Sequence, residues 1–371
     1  MGSALFAPIA LRSLTLANRI VVSSMCQYNA EDGSANDWHL MHLGQFAMGA
    51  AGLVMTEATH ASAIGRISHQ CLGLYSDDNE RALARVVDFC RRYGVSALGI
   101  QLAHAGRKGS VHTPFEGGAP LGPDEEPWTT VAPSAVPYAP DWHVPQALDR
   151  AGLAEVKAEF VAAAERAARI GFDLAELHGA HGYLLHEFLS PISNQRTDEY
   201  GGSLDNRIRF PLEVFEAVRR VWPADKPLGM RVSASDWVAG GWTPDETVVL
   251  ARALLDLGCD FVDVSSGGLD PRQKIPLGPG YQVHLAARVR REAGIPTWAV
   301  GMITGAHQAE AIVAGGQADM VALARGIMYD PRFAWRAAVE LGAEAAYSHM
   351  YRRCHPSQWP AHPANRTTER R

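Results

Sequence analysis

Short apolar runs alternate along this chain with longer stretches in which apolar residues return every three to four positions. The runs at 20–22, 52–55, 97–101, 174–177, 228–232, 261–264, 297–300 and 320–323 are brief, poor in charge and often β-branched. That is the character of strands buried on both faces. Amphipathic segments at 77–93, 153–170, 206–221, 244–257 and 306–314 lie between them and predict helices. Gly94, Gly171, Gly258, Gly294 and Gly315 stand just ahead of the next strand, where a helix C-cap belongs. Strands alternating with helices in this way predict an α/β fold, a (β/α)8 TIM barrel ahead of a doubly wound open sheet.

Two stretches break the rhythm. Between Arg107 and Arg150, after strand 3, the periodicity fades and prolines accumulate (Pro114, Pro120, Pro123, Pro127, Pro133, Pro137, Pro140, Pro145). A loop this long in a compact domain is usually functional or disordered. Trp128, Tyr138 and Trp142 argue for order, as a lid over the barrel mouth. The second stretch is the tail, residues 342–371, with Pro356, Pro360 and Pro363 and a polar end. The expected organisation is a single barrel domain over 1–341 and an intersubunit tail over 342–371.

Composition narrows the class. The chain has 371 residues, 47% hydrophobic and 20% charged, as in an ordinary soluble globular protein. A net charge of −6 argues against nucleic acid, which wants a basic face. No apolar stretch approaches the roughly 20 residues that span a bilayer, and no secretory signal is readable. Five scattered cysteines and no Cys-x-x-Cys suit a reducing cytoplasm and disfavour iron–sulfur clusters and structural zinc.

The active site of an α/β barrel is built at the C-terminal ends of its strands. Here those ends read Ser23-Ser24-Met25-Cys26-Gln27-Tyr28, Glu57-Ala58, Gln101 with His104, His178-Gly179-Ala180-His181-Gly182-Tyr183, Arg231 with Ser233 and Asp236, Ser265-Ser266-Gly267-Gly268, Gly301, and Ala324-Arg325-Gly326. Polar residues and glycines gather at one end of nearly every strand. Gly267, Gly268, Gly301 and Arg325 together predict a phosphate site, since glycine lets backbone N–H groups approach an anion and arginine grips its oxygens. No G-x-G-x-x-G follows a strand and no P-loop occurs.

His178 and His181 admit three readings: metal ligands, ordinary buried histidines, or donors to a substrate oxygen. Zinc wants a third ligand, and Glu176, on one strand face with His178, keeps a metal possible, but no separate His or Cys motif elsewhere in the chain supports it, so metal is the minor reading. No metal is expected. Cys26 and Tyr28 taken singly read equally as core filler. Arg231, closing an apolar strand, needs a partner inside the barrel.

The stretch from His178 to Arg207 (HGAHGYLLHEFLSPISNQRTDEYGGSLDNR) closely resembles the signature of the Old Yellow Enzyme family. SSMCQY from Ser23, QLAHAGRK from Gln101, RVSASD from Arg231 and VGMIT from Val300 resemble its thermophilic-like subgroup, which includes xenobiotic reductases. The resemblance runs from about residue 4 to 340 and is weak across the long loop.

It implies noncovalent FMN across the barrel mouth, NADPH or NADH as hydride donor, and hydride transfer to the β-carbon of enals, enones, nitroalkenes or maleimides. It implies that His178 and His181 bind the substrate oxygen and that Tyr183 protonates the α-carbon. Cys26 would tune the flavin, and Tyr28 would touch substrate. Ser23, Ser24, Met25, Ala58, Gln101 and Arg231 would hold the isoalloxazine; Ser266, Gly267, Gly301, Ala324 and Arg325 would hold the remaining cofactor and its phosphate. It further implies a homodimer or homotetramer.

Departures occur at Ser24, where the subgroup usually has Pro, at Gly179 for Ala, and at Ala324 for Gly. Gln358-Trp359-Pro360-Ala361 replaces a Gln-Tyr-x-Arg tail whose arginine enters a neighbour's site, so Trp359 becomes the expected substrate wall. Relatives resembling dienoyl-CoA reductases or amine dehydrogenases carry a cysteine cluster and a further nucleotide-binding portion that this sequence lacks. A non-catalytic flavin-binding or sensing protein is the competing reading from another class.

Overall fold

In the computed structural model, which describes residues 2–362 and 365, eight parallel strands close into a barrel. They are β1 (Ile20–Val22), β2 (Leu53–His60), β3 (Ala97–Ala103), β4 (Leu174–Gly179), β5 (Leu228–Ser233), β6 (Val262–Ser265), β7 (Thr297–Val300) and β8 (Met320–Leu323). Each pairs with its sequence neighbours, and β8 returns to β1. The order is that of an uninterrupted βα repeat, as the hydrophobic pattern predicts.

Alternation along the strands decides what the barrel holds. Leu174, Phe261, Trp298 and Met320 share one interior cluster, and Phe261 stacks on Trp298 at 4.1 Å. Gly229 makes this fit, because a Cβ there would meet the Phe261 ring at 2.3 Å. Moving toward the strand C-termini, the same faces present Glu176 and His178 on β4, Arg231 on β5 and Asp263 on β6. The interior is therefore apolar at the bottom and charged near the mouth. An N-terminal hairpin (Ile9–Leu11 with Leu14–Leu16) closes the bottom, packing Leu11 and Leu16 into the Phe261–Trp298 cluster. The sequence reading missed this hairpin, whose strands are three residues each.

Five strands run further than their apolar runs: β2, β3, β4, β5 and β6 extend through Thr56–His60, Leu102–Ala103, His178–Gly179, Ser233 and Ser265. Polar residues such as Gln101, His178, Ser233 and Ser265 ended the pattern but not the strand. On β2 the register shifts between Met55 and Ala58, a bulge at which the Thr56 and Thr59 hydroxyls both donate to the Glu57 carbonyl. Helices Asp77–Tyr93 and Ala306–Ala314 match their predicted bounds. Helix Asp37–Ala47 went unread because its buried face carries His39 and His42; His39 Nε2 lies 3.3 Å from Glu57, and His42 packs edge-on against Phe46.

The five glycines before strands are not equivalent. Gly171, Gly258 and Gly294 are left-handed, whereas Gly94 is extended and Gly315 right-handed helical. Gly94 is required for space instead: a Cβ would lie 2.5 Å from the Cys90 carbonyl oxygen and 2.8 Å from the Ala47 Cβ.

The long loop is ordered. Two short 3-10 turns and a small parallel pair, Val131–Ala132 with Gln146–Ala147, give it a frame. The tail first folds back on its own chain: Trp335 stacks on Tyr347 at 4.4 Å, and the Ser348 hydroxyl donates to the Tyr93 carbonyl.

Candidate active site

The C-terminal strand ends converge on a cavity of about 670 Å³ lined by Arg231, Ser265, Gly301, Met302, Ala324 and Arg325 among others. Gly301 has φ +118°, and a Cβ would strike Gln282 Nε2 at 2.8 Å and the Tyr281 ring at 2.9 Å. Arg325 is exposed and makes no hydrogen bond or salt bridge among the described residues, unlike most arginines of this chain. A free guanidinium beside a backbone turn that excludes side chains is what a phosphate group needs. At the neighbouring end of β1, the Ser23 and Ser24 hydroxyls are withdrawn from water without a partner. Buried polar atoms are nearly always satisfied, so these await one. The size of the cavity, its single free arginine and these orphan hydroxyls fit FMN.

Two predicted phosphate donors point elsewhere. The Gly267 N–H is held by the Ser235 carbonyl at 2.8 Å, and the Gly268 N–H by Gln273 Oε1 at 2.6 Å. Ser266 Oγ is spent on Gln282 Oε1 at 2.5 Å. Both glycines have positive φ, and at Gly268 a Cβ would lie 2.6 Å from the His181 backbone. They serve the close approach of the β6 loop to the β4 loop, not anion binding.

The second half of the site follows β4. His178 Nδ1 accepts the Ala180 N–H at 3.3 Å, so the proton of a neutral ring sits on Nε2. That nitrogen lies 3.4 Å from His181 Nδ1, and His181 Nε2 reaches Ser265 Oγ at 2.7 Å. Burial first, and then the nearby Arg231 charge, holds both imidazoles well below the ordinary histidine range. Both are therefore neutral at physiological pH. The Tyr183 ring packs edge-on against His178 at 5.1 Å, and no hydrogen bond ties its hydroxyl among the described residues. Burial raises the Tyr183 phenol well above its ordinary value.

Cys26 and Tyr28 lie across from it, in one cluster with Tyr183, Trp142 and the buried Cys71. Burial, then the Glu57 carboxylate, pushes the Cys26 thiol up, so it is protonated. Tyr28 and His181 both have positive φ, +51° and +59°. Non-glycine residues pay about 1–3 kcal/mol for such backbone and keep it where surrounding structure insists. For His181 that structure is visible: Ser233 Oγ accepts its N–H at 2.9 Å, and Lys108 Nζ donates to its carbonyl at 2.9 Å.

Lys108 and Arg107 are the residues sequence reasoning passed over. Lys108 also donates to the Gly268 carbonyl at 2.9 Å and sits over the Tyr138 and Tyr183 rings at 4.8 and 5.0 Å. Arg107 donates to the Val136 and Pro137 carbonyls of the lid, both at 3.2 Å, and to Leu269 O at 2.9 Å. Their adjacency at the start of the lid was the available signal. Behind Tyr183, His186 accepts the Gly182 N–H at 2.9 Å and sets its other nitrogen 2.9 Å from the fully buried Asp236.

Gln101 and Arg231 are brought to the cavity side of the barrel, Gln101 donating to Glu176 Oε1 at 2.7 Å and Arg231 Nε lying 3.0 Å from Asp263. Ala58 pairs with Gln101 in the ladder. Met25 packs on the core beside them. Trp359 is not among the residues lining the cavity; it is 44% exposed and packs edge-on against His362. No group of three or more His, Cys, Asp or Glu side chains among the described residues is placed to hold a metal ion. Nor is any helix there long and apolar enough to cross a membrane.

Comparison with known proteins agrees with this geometry. The profile of the NADH:flavin oxidoreductase / NADH oxidase family matches residues 4–344. An NADPH dehydrogenase of Geobacillus sp. (strain WCH70) is 44% identical over 355 residues, 95% of this chain and 99% of its own length. Among solved structures, morphinone reductase superposes with a TM-score of 0.77 at 27% identity, covering 96% of this chain and 93% of that one. Histamine dehydrogenase from Rhizobium sp. 4-9 gives 0.76 at 29% identity over 91% of this chain but only 48% of that one. The chain thus belongs to the NADH:flavin oxidoreductase, or Old Yellow Enzyme, family, and is a flavin-dependent NAD(P)H oxidoreductase that uses FMN.

Proposed function

We propose that this oxidoreductase is an ene-reductase, reducing the activated double bond of enals, enones, maleimides and nitroalkenes. The observation that carries the reading is the neutral His178–His181 pair, 3.4 Å apart, beside a Tyr183 whose hydroxyl is free. Neutral N–H donors polarise a carbonyl or nitro oxygen without losing a proton to it, and a free phenol can give one.

FMN, bound noncovalently, supplies acceptance of hydride from NAD(P)H and its delivery to the substrate β-carbon. Arg325 with the Gly301 and Ala324 backbone would hold its phosphate. Ser23, Ser24, Met25, Ala58, Gln101 and Arg231 would hold the ring system, with Arg231 placing positive charge where negative charge grows on reduction. Cys26 would lie against the ring edge as a protonated thiol and set local polarity.

His178 Nε2–H stabilises the enolate-like charge on the substrate oxygen. For His181 to join, its Nε2–H must leave Ser265 at 2.7 Å, whereas the His178 proton gives up only the long 3.4 Å contact with His181 Nδ1, so the pair offers one loosely held and one tethered donor. Tyr183 hands its proton to the α-carbon, and its raised pKa keeps that proton in place at neutral pH. Tyr28 walls the substrate space. Lys108 and Arg107 fix the lid that keeps water out.

The tail is read as an intersubunit element of a homodimer or homotetramer, with Trp359 forming an apolar wall at a neighbour's mouth. The deciding experiment is the absorbance spectrum of purified protein, then anaerobic reduction by NADPH and reoxidation by cyclohexenone. Flavin bands that bleach with NADPH and return with the enone are expected. Bleaching without return would leave an NADPH dehydrogenase that is not an ene-reductase.

A further inference from the structure

Four consecutive strands place polar side chains inside the barrel just beneath the cavity: Gln101 on β3, Glu176 on β4, Arg231 on β5 and Asp263 on β6. None is more than 7% exposed. Below them lies the stacked Phe261–Trp298 pair, so no water reaches them from the barrel floor. This belt holds one guanidinium and two carboxyl groups. Facing Glu176 are Gln101, Arg231 and Asp263, with His178 further along its own strand and the Cys259 thiol before β6. Arg231 is the sole cation in that set, because His178 is neutral.

Two ionised carboxylates and one cation would leave a net negative charge in a dry interior, which is costly. One carboxyl must therefore keep its proton. Asp263 has Arg231 Nε at 3.0 Å, whereas among the described residues the only side-chain hydrogen-bond partner of Glu176 is the neutral Gln101 amide at 2.7 Å. Among the described residues Glu176 Oε2 is buried without a hydrogen-bond partner, which suits a protonated oxygen better than a bare anionic one.

We propose that Glu176 stores a proton beneath the cavity and acts as a positioning residue for charge, keeping the belt neutral so that Arg231 is electrostatically available to the cofactor. The inference rests on the cofactor placement argued above. Burial, then Asp263, raises Glu176 to about 8. Above that pH, Glu176 is ionised while the cofactor is oxidised. Reduction then brings negative charge to the mouth, and Glu176 takes up a proton from solvent. Hydride carries two electrons and one proton; this uptake adds a second proton per two electrons, confined to pH above about 8. Below it the balance stays at one.

The test compares wild type with Glu176→Gln, which mimics the protonated form. In flavin-free protein at pH 7, infrared difference spectra should show a protonated-carboxyl carbonyl band that the variant lacks. The thermal stability of the variant should gain on wild type as pH rises from the ordinary glutamate range to about 8 and level off above it, because only between the two does the folded state hold a proton that the unfolded chain has lost. In flavin-loaded protein, anaerobic reduction by NADPH followed with an indicator dye should read one proton taken from solvent per flavin above about pH 8 in wild type and none in the variant, because the hydride brings its own proton. No carboxyl band, or the same proton count in both proteins across this range, overturns the proposal. Failure of the cofactor placement reads differently: Arg231→Met would then leave flavin content and reduction potential unchanged.

Discussion

His181 Nε2 lies 2.7 Å from the Ser265 hydroxyl, so a residue of the β4 loop is tethered across the mouth to the end of β6. The bond fixes the order of the pair. With its Nε2–H directed at Ser265, His181 presents Nδ1 as acceptor to His178, and the His178 proton, held only by that long 3.4 Å contact, is the one more easily turned to a substrate oxygen. Replacing His178 by Ala should slow reoxidation by enones about 10²–10³-fold, the usual cost of one oxyanion donor. Flavin content should not change. Normal reoxidation with lost flavin would make His178 structural.

Tyr183→Phe should slow enone reduction far more than reduction of the enzyme by NADPH, since only the former consumes a proton from the residue. A nitroalkene, whose anion solvent can protonate later, should suffer less. Because burial raises the Tyr183 phenol, wild-type reoxidation should hold its rate through the alkaline pH at which free tyrosine begins to ionise. Stopped-flow traces of the two half-reactions across pH separate these outcomes. Equal slowing of both would remove the acid role.

The barrel was legible because strands buried on both faces leave short apolar runs, and β1, β7 and β8 match those runs residue for residue. What the pattern hid is where polar residues stay in the ladder. Glu57, in the β2 bulge, and His178 interrupt hydrophobicity while the strands run on past them, so β2 and β4 looked shorter than they are. The site divides along the same line. His178, Arg231, Gly301 and Arg325 stand at strand ends, where position alone marks them. Gly267 and Gly268 stand there too, yet their N–H groups are taken by Ser235 and Gln273, a fact only the folded loops contain. Lys108 and Ser265 act on backbone and on His181 through space, which no spacing encodes.

Cys26→Ala should shift the flavin reduction potential while leaving the melting temperature within a few degrees of wild type. The thiol is half-buried against Tyr28, Tyr183 and Cys71, and burial keeps it protonated, so it acts by polarity and not as a nucleophile. Potentiometric titration with a reference dye reads the shift. An unchanged potential and spectrum would return Cys26 to packing.

Arg107→Ala should loosen the lid. Losing its three charge-assisted bonds to Val136, Pro137 and Leu269 should destabilise the protein by about 1.5–3 kcal/mol. Limited proteolysis should then cut between residues 115 and 142 faster than wild type. An unaltered cleavage rate would mean that the lid is held by its aromatic contacts alone.

Truncation before Cys354 and Trp359→Ala test the tail. Trp359 is 44% exposed within one chain, and burying a large apolar side chain is worth about 1.5–3 kcal/mol. Light scattering should find a dimer or tetramer in wild type, and the KM for bulky enones should change in both variants. A monomeric wild type, or KM values that do not move for any enone, would end this reading.

The Phe261–Trp298 stack and the hairpin beneath it turn the barrel into a vessel with one opening. Nothing can pass along its axis. A reductant and an acceptor that both need the same reactive surface must come through the same doorway, under the same lid, and the first must vacate before the second settles. Taking turns is then a consequence of architecture. On the proposed reading each visitor would also meet His178, His181 and Tyr183, so a change that welcomes one would shape the stay of the other.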